Sequence, residues 1–309
     1  MNITGAKIPV PRDPLVVVII LTWNQKDDTV RCLRSFQLVD YPRLEIVLVD
    51  NASNDGTAES VFKEFPRVHV VRNPINAGVA GGRNIGIEYA SCHFAYDYLF
   101  YIDNDTVVTR NFLRPMVDAL EADQNIGIAG PKLYILNEEM VLDSAGGSNV
   151  NFYTGSTGRR GHGEIDRGQY DGPDTPACVP SGIALARRAV IEKCGGFNTE
   201  FNPYGPEDLD FSFRAKEHGF SFRYVPAAVI YHKGNKTGFG TYTSEYAALK
   251  GRNLRKFIKR HATSYQWLCF NALLPFLALR TVIREMVRGN AKAPLHLLRG
   301  YWIAKGPIP

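Results

Sequence analysis

The chain is poor in the features that would mark it as secreted, disulfide-built or metal-fingered. Of its 309 residues five are cysteines, Cys32, Cys92, Cys178, Cys194 and Cys269, odd in number and isolated from one another. That spacing excludes short-spaced zinc ligands and argues against a disulfide framework, so a reducing compartment and buried thiols are expected. The opening stretch, residues 1–14, holds three prolines and no apolar core. It reads as an extended lead-in without a signal peptide. No Walker loop is present. Gly81, Gly82 and Gly86 have the wrong spacing for a dinucleotide fingerprint and do not follow the first strand, which weighs against dehydrogenases and ordinary nucleotide triphosphatases. Internal repeats and low-complexity segments are also lacking. With 45% hydrophobic and 22% charged residues the chain has ample core for an ordinary globular protein.

Acidic residues are scarce at one end. From Ala248 to Pro309 there are twelve Lys and Arg against one acid, Glu285, while the preceding 247 residues carry 24 basic and 30 acidic side chains. A mildly acidic body therefore carries a strongly basic tail, a charge distribution suited to an anionic partner.

What the chain does have is a repeating alternation. Leu15 to Leu21 is an uninterrupted Val/Ile-rich run, the pattern of a strand buried on both faces in a parallel sheet. Val30, Leu33, Phe36 and Val39 follow at helical spacing. Further strands are expected at Leu44–Val49, Val68–Val71 and Tyr98–Ile102, with helices at Thr57–Phe65 and Gly78–Ala90 between them. This order predicts βαβ units and a doubly wound α/β sheet. After Gly130 the pattern loosens. Asp143 to Pro180, rich in Gly, Asp, Ser and Thr, reads as hairpins and loops. Helices are expected again at Arg187–Lys193 and Glu207–His218, and strands at Phe222–Val225 and Val229–Tyr231.

Polar groups stand directly after the predicted strands: Thr22-Trp23-Asn24, Asp50-Asn51 and Asp103-Asn104-Asp105. Ligands of open α/β sheets bind beyond the carboxyl ends of the strands, so the fold brings these three groups together. Asp103 and Asp105, one residue apart, offer oxygen ligands of the kind that hold Mg²⁺ or Mn²⁺ with a substrate's phosphates. The same residues would also serve as an Asx-rich turn. Glu207 and Asp208 follow Pro206 at a predicted helix start, where carboxylates complement the helix dipole and could take a proton from an attacking hydroxyl. His232 ends a predicted strand and could ligate Mn²⁺ or pack structurally. Arg83, near the start of a helix, could pair with a phosphate or a base edge.

In this order, from Leu15 to Lys256, the motifs resemble those of glycosyltransferase family 2, the inverting transferases with the GT-A fold, and in particular its rhamnosyltransferase-like branch. The resemblance rests on Thr22-Trp23-Asn24, Val49 to Gly56, Asn76 to Asn84, Asp103 to Thr106, Pro180-Ser181-Gly182, Gly195-Gly196-Phe197, Glu207 to Asp210 and the His232 segment. It implies a Rossmann-like nucleotide-sugar-binding half at 15–130 merged with an acceptor and catalytic half at 131–247. The basic helical tail, 248–309, follows. Thr22, Asn24, Asp50, Asn51, Arg83 and Asn104 would surround the nucleotide. Asp103, Asp105 and His232 would hold Mn²⁺ or Mg²⁺ and, through it, the diphosphate. Ser181 and Gly182 would lie under the transferred sugar. Asp208 would be the catalytic base, with Glu207 beside it. The family's chemistry implies a UDP- or dTDP-sugar donor and a glycan or lipid-linked acceptor hydroxyl, in cell-surface polysaccharide or glycoconjugate synthesis. One departure is Gly205-Pro206, where many relatives carry bulkier residues.

In the tail, Lys250, Arg252, Arg255, Lys256, Lys259 and Arg260 are spaced along a helix, and Trp267 to Leu279 is a thirteen-residue apolar run. At that length the run is too short for a typical span. A basic helix beside a short apolar one suits the membrane interface, placing the protein in the cytoplasm at the inner face of the cell membrane. The apolar residues would otherwise pack on the catalytic domain or in a homo-oligomer. No basic platform interleaved with aromatics is present, so no nucleic-acid partner is expected. A catalytically silent nucleotide-sugar-binding subunit of an assembly complex is the alternative function.

Overall fold

In a computed structural model, which describes residues 13–172, 179–180, 182–203, 205–234, 244–287, 296 and 299–300, the first half of the chain alternates as expected. Strand β1 (Val16–Thr22) leads to α1 (Lys26–Phe36), β2 (Leu44–Asn51), α2 (Thr57–Glu64), β3 (His69–Asn73), α3 (Gly78–His93) and β4 (Tyr98–Asp103). These four strands are parallel, in the order β3-β2-β1-β4. The period of two in β1 divides its apolar run between two cores. Val16, Val18 and Ile20 join one, and Val17 and Ile19 join the other on the opposite face. The glycines that fail as a dinucleotide fingerprint have a packing role in α3. A Cβ on Gly86 would lie 2.6 Å from Ile19 Cγ2, and one on Gly82 would collide with Leu21, so the bare backbone lets the helix lie against β1.

Four elements were not expected: β5 (Thr106–Val108), α4 (Leu113–Ala122), β6 (Ile126–Ile135) and a short β10 (Ala184–Arg187). Pro131 sits inside β6, where sequence pattern argues against a central strand, and a register shift in the facing strand accommodates it. Strand β7 (Leu142–Ala145) borders the second half of β6, and β8 (Ser148–Asn151) with β9 (Ser156–Arg159) forms a separate hairpin. Helix α5 (Arg188–Cys194) and helix α6 (Glu207–Glu217) match the expected pair. The two short strands expected at 222–231 are one, β11 (Ser221–His232), with an irregularity between Val225 and Val229. The sheet runs on from β4 as β10-β6-β11-β5, with β10 antiparallel to its neighbours and β11 parallel to β6. Lys132 on β6 fixes the loop beyond β9 through Asp166 and Asp171, each at 2.7 Å.

The tail packs on the body, one of the two readings its sequence allows. Helix α7 (Ser244–His261) does not hang free. Phe257 and Ile258 are fully buried in a third apolar cluster with Phe201 and Leu209, and His261 sits between Asp210 and Glu217 of α6 at 2.8 and 2.9 Å. The apolar run belongs to a longer helix, α8 (Ser264–Val287), which passes through Pro275. Its stretch Ser264–Ile283, 20 residues with mean hydropathy 1.4, is long and apolar enough to cross a membrane by length and composition, so the thirteen-residue limit set by the apolar run alone does not hold. Among the described residues four cysteines are free. Cys32 is buried, but Cys92 is exposed, contrary to the expectation of buried thiols, and Cys178 lies outside the described residues.

If α7 is part of the body, Phe257→Ala should cost about 3–5 kcal/mol of unfolding free energy in a urea titration. A loss below ~1 kcal/mol, within the range of a surface substitution, would show that α7 contributes little to the core.

Candidate active site

The site begins where β4 ends. Only Asn104 and Asp105 separate β4 from β5, and β5 pairs with β11 so that His232 stands opposite Thr106. That register brings the imidazole to the aspartates: Nε2 of His232 lies 3.3 Å from Asp105 Oδ1. Asp103, Asp105 and His232 each present a ligand atom, all within 4.8 Å of one another. The other ring nitrogen, Nδ1, donates to Asp143 Oδ2 at 2.9 Å. Burial would push the imidazole pKa down, but the hydrogen bonds to Asp105 and Asp143 raise it to about 10. Two carboxylates and an imidazole whose far nitrogen is anchored form a donor set that fits Mn²⁺ or Mg²⁺.

Behind this cluster lies Arg83, only 3% exposed. It is placed by α3, whose glycines bring its backbone close to the sheet. One Nη2 donates both to Asp103 Oδ1 at 2.8 Å and to the Gly182 carbonyl at 3.0 Å, and Nη1 lies 3.7 Å from Glu207 Oε1. The rings of Tyr101 and Phe197 flank the guanidinium at 5.5 and 5.2 Å. Burial alone would lower its pKa, but Asp103, Glu207 and Asp208 hold it charged. In this arrangement Arg83 ties strand β4, the Gly182 turn and the start of α6 together from below, and its side chain points inward.

Helix α6 starts at Glu207, directly after Pro206, as the acidic pair predicts. Glu207 is buried and accepts from the Gly205 amide at 2.8 Å. Asp208 points toward the open side. Burial pushes its pKa up, against the pull of Arg83 and of the Leu209 and Gly182 amides. A carboxylate so raised is better matched to accepting a proton near neutral pH. Gly182 stands between the carboxylates with φ +65°, and a Cβ there would meet Asp103 Oδ2 and Asp208 Oδ2 at 3.9 Å each. Ser181 lies outside the described residues.

A cavity of about 590 Å³ opens over these groups. Asp103, Asp208 and His232 form its floor, the β7–β9 region forms one wall, and Lys250, Asn253 and Leu254 of α7 form another. The departure at Gly205 has a structural counterpart here. A Cβ at 205 would stand 2.8 Å from Asn253 Nδ2, so α7 occupies the space a bulkier residue would need.

The expected nucleotide contacts divide into two groups. Thr22, Asn51 and Asn104 are 1%, 2% and 5% exposed and spend their polar groups internally. Asn104 Nδ2 donates to Thr22 and Thr29, and Asn51 bonds Asn73, Asn76 and the Ala77 amide, fixing the loop before α3. Asn24, at φ 52°, is exposed and accepts from the Asn54 amide. Asp50 holds the Ser53 amide at 2.9 Å and lines a second recess, of about 400 Å³, with Ser53, Glu59, Arg72 and Asn73. Sequence reasoning missed Asp143, Arg159, Lys250 and Asn253 as site residues. Arg159 stands beside Arg160 in a stretch otherwise read as loops, and Lys250 was read only as part of the basic tail.

Comparison with known proteins agrees with this picture. The family model for glycosyl transferase family 2 matches residues 17–195. A pre-mycofactocin glycosyltransferase of Mycobacterium tuberculosis is 28% identical over 198 residues, covering 61% of this chain and 37% of that protein. A hyaluronan synthase of Pasteurella multocida is 24% identical over 286 residues, 84% of this chain and 28% of that protein. The chain thus spans well under two thirds of the length of either curated relative. Among solved structures, a mannosyltransferase from Pyrobaculum calidifontis in complex with GDP-Man and Mn²⁺ superposes with a TM-score of 0.55 at 17% identity, over 95% of this chain and 88% of that one.

Replacing the buried cation tests the charge balance. Arg83→Gln would leave Asp103 and Glu207 without their counter-charge and should destabilise the fold by about 3–5 kcal/mol in urea titration. A change under ~1 kcal/mol would show that the carboxylates do not depend on it.

Proposed function

Because this chain belongs to glycosyl transferase family 2 and has a GT-A fold, we propose that it is an inverting, metal-dependent transferase, carrying a sugar from a nucleoside diphosphate to an acceptor hydroxyl. The observation that carries this reading is the convergence of Asp103, Asp105 and His232, two of which, Asp103 and His232, line one cavity together with Asp208. Asp103, Asp105 and His232 would hold Mn²⁺ or Mg²⁺, which when bound neutralises charge developing on the departing diphosphate. The recess at Asp50 suits the nucleoside, a UDP or dTDP type being favoured by the family resemblance, and the cavity suits the sugar and acceptor. Asp208 takes the acceptor's proton as the acceptor oxygen bonds to the anomeric carbon. The bond from that carbon to the diphosphate oxygen breaks on the opposite face, its electron pair leaving with the diphosphate, so the anomeric configuration inverts. Glu207, tied to Gly205 and facing Arg83, orders the start of α6 beneath Asp208. The motif order supports the rhamnosyltransferase-like branch. The hyaluronan synthase among the relatives supports a glycan or lipid-linked acceptor in cell-surface polymer or glycoconjugate synthesis.

We assign the domain roles accordingly: 15–130 binds the nucleotide sugar, 131–247 completes the acceptor side, and α7 adds a wall to it. The outer face of α8 is proposed to lie on an anionic membrane surface at the cytoplasmic side. Leu268, Phe276, Leu279 and Ile283 are more than half exposed along it, while Phe270, Leu274 and Ala278 pack inward on the body. A helix packed on one face against its own domain can lie in the interface without leaving that domain, and the basic residues of the tail would meet the headgroups.

Two outcomes follow from this reading. Asp208→Asn should keep donor binding but lower turnover at least ~100-fold. Near-normal turnover would remove Asp208 from the role of base. The full chain should bind anionic liposomes in a salt-sensitive way, and the triple change Leu268→Ser, Phe276→Ser, Ile283→Ser should weaken sedimentation with them at least ~10-fold, in line with the loss of several buried apolar groups. Equal binding by the triple variant would refute the membrane contact.

A further inference from the structure

A buried carboxylate beside the candidate metal site, Asp143, has no part in the mechanism. Asp143, on β7, has a side chain only 2% exposed, yet it touches three groups of positive or proton-donating character. Its Oδ2 accepts from Arg159 Nη1 at 2.6 Å and from His232 Nδ1 at 2.9 Å, and its Oδ1 lies 3.2 Å from His162 Nδ1. Strands β7 and β11 flank β6, with Tyr134 paired to Leu142 on one side and Ile135 paired to His232 on the other, so Asp143 and His232 meet across the same part of the sheet.

We propose that Asp143 is a positioning residue for the metal site: by accepting the Nδ1–H of His232 it turns Nε2 toward Asp105 and Asp103. An imidazole can rotate about its Cα–Cβ and Cβ–Cγ bonds and can ligate through either nitrogen, so a lone His at a strand end presents Nε2 to a cation only part of the time. A fixed acceptor on Nδ1 selects both the rotamer and the nitrogen that stays available. Asp143 can act in this way because its own orientation is locked from other sides. Arg159 holds Oδ2, and His162, whose Nδ1 bonds the Asp143 carbonyl at 3.2 Å, stands 3.2 Å from Oδ1; burial keeps water from competing for the carboxylate. The same Oδ2 places Arg159 at the wall of the cavity, so β7 ties the hairpin and the metal ligand to one atom.

This inference rests on the reading of Asp103, Asp105 and His232 as metal ligands, and its test separates the two. Mn²⁺ affinity of the full-length protein is measured by calorimetry and by loss of the free Mn²⁺ paramagnetic resonance signal, without donor or acceptor. Asp143→Ala should weaken Mn²⁺ binding ~10–100-fold, the range for a lost outer partner of a metal-bound His. Asp143→Asn, which keeps an oxygen able to accept from Nδ1, should recover most of the affinity. Arg159→Gln, which removes one of the groups locking Asp143 but leaves the His232 contact in place, should weaken Mn²⁺ binding less than Asp143→Ala does. If the alanine variant does not give a cooperative thermal melt, Asp143→Leu fills a similar volume without an acceptor and should show the same loss. Unchanged affinity in Asp143→Ala or Asp143→Leu, or an equal loss in Arg159→Gln, overturns the positioning role. Absence of Mn²⁺ binding by the unaltered protein overturns the ligand assignment itself, and the positioning role with it.

Discussion

Two residues are all the chain has between β4 and β5. With Asn104 and Asp105 it must leave the parallel half of the sheet and reach a strand that pairs at the opposite end of the order β4-β10-β6-β11-β5. The sheet therefore curls, and the short connection is held at the place where its two ends come together. Asn104 is turned inward and bonded to Thr22 and Thr29, while Asp103 lines the cavity and Asp105 stands beside His232. His232 arrives there through the register of β11 on β5. The candidate metal site is thus a consequence of how the sheet closes, and its ligands come from two strands far apart in the chain.

Bringing carboxylates together in this way has an electrostatic cost, and Arg83 offsets it. Asp103, Glu207 and Asp208 converge there; burial, with the neighbouring carboxylate, pushes Glu207 up to about 8, burial raises Asp208 as well, and Arg83 pulls both back down. A buried guanidinium whose partners come from β4, the Gly182 turn and α6 balances them while linking three separate segments. His261 does a comparable job one layer out, joining α7 to α6 through Asp210. The cavity wall that α7 provides is thereby connected to the helix carrying Asp208. Membrane contact through α8 would sit on the next element of the same chain of packing.

The parallel half of the fold was legible because its signals are local. Apolar runs such as Leu15–Leu21 and the polar residues after them fall in the spacing of βαβ units, and the strand ends Asp50 and Asp103 were read correctly as positions. The second half was less so. Strand β6 contains Pro131, β10 is a four-residue Ala-Leu-Ala-Arg segment, and both are strands because of their neighbours on the sheet. Asp143 lay in a stretch whose Gly and Ser content reads as loop, and its importance depends on a cross-sheet contact with His232, 89 residues away. Arg83 was legible as a charged residue near a helix start, but the sequence alone could not show that it faces inward. The length of α8 was hidden by Pro275 and Arg280, which break the apolar run without ending the helix.

The central claim is that the cluster at the end of β4 binds a divalent cation and a nucleoside diphosphate together. The most direct measurement is the melting temperature of the full chain with UDP, dTDP or GDP, each with Mn²⁺ and in excess chelator. At least one diphosphate should raise the melting temperature with Mn²⁺ by more than metal and nucleotide do separately, because ligands that share a site stabilise the folded state jointly. An equal shift in chelator, or none with any diphosphate in the presence of Mn²⁺, would contradict it.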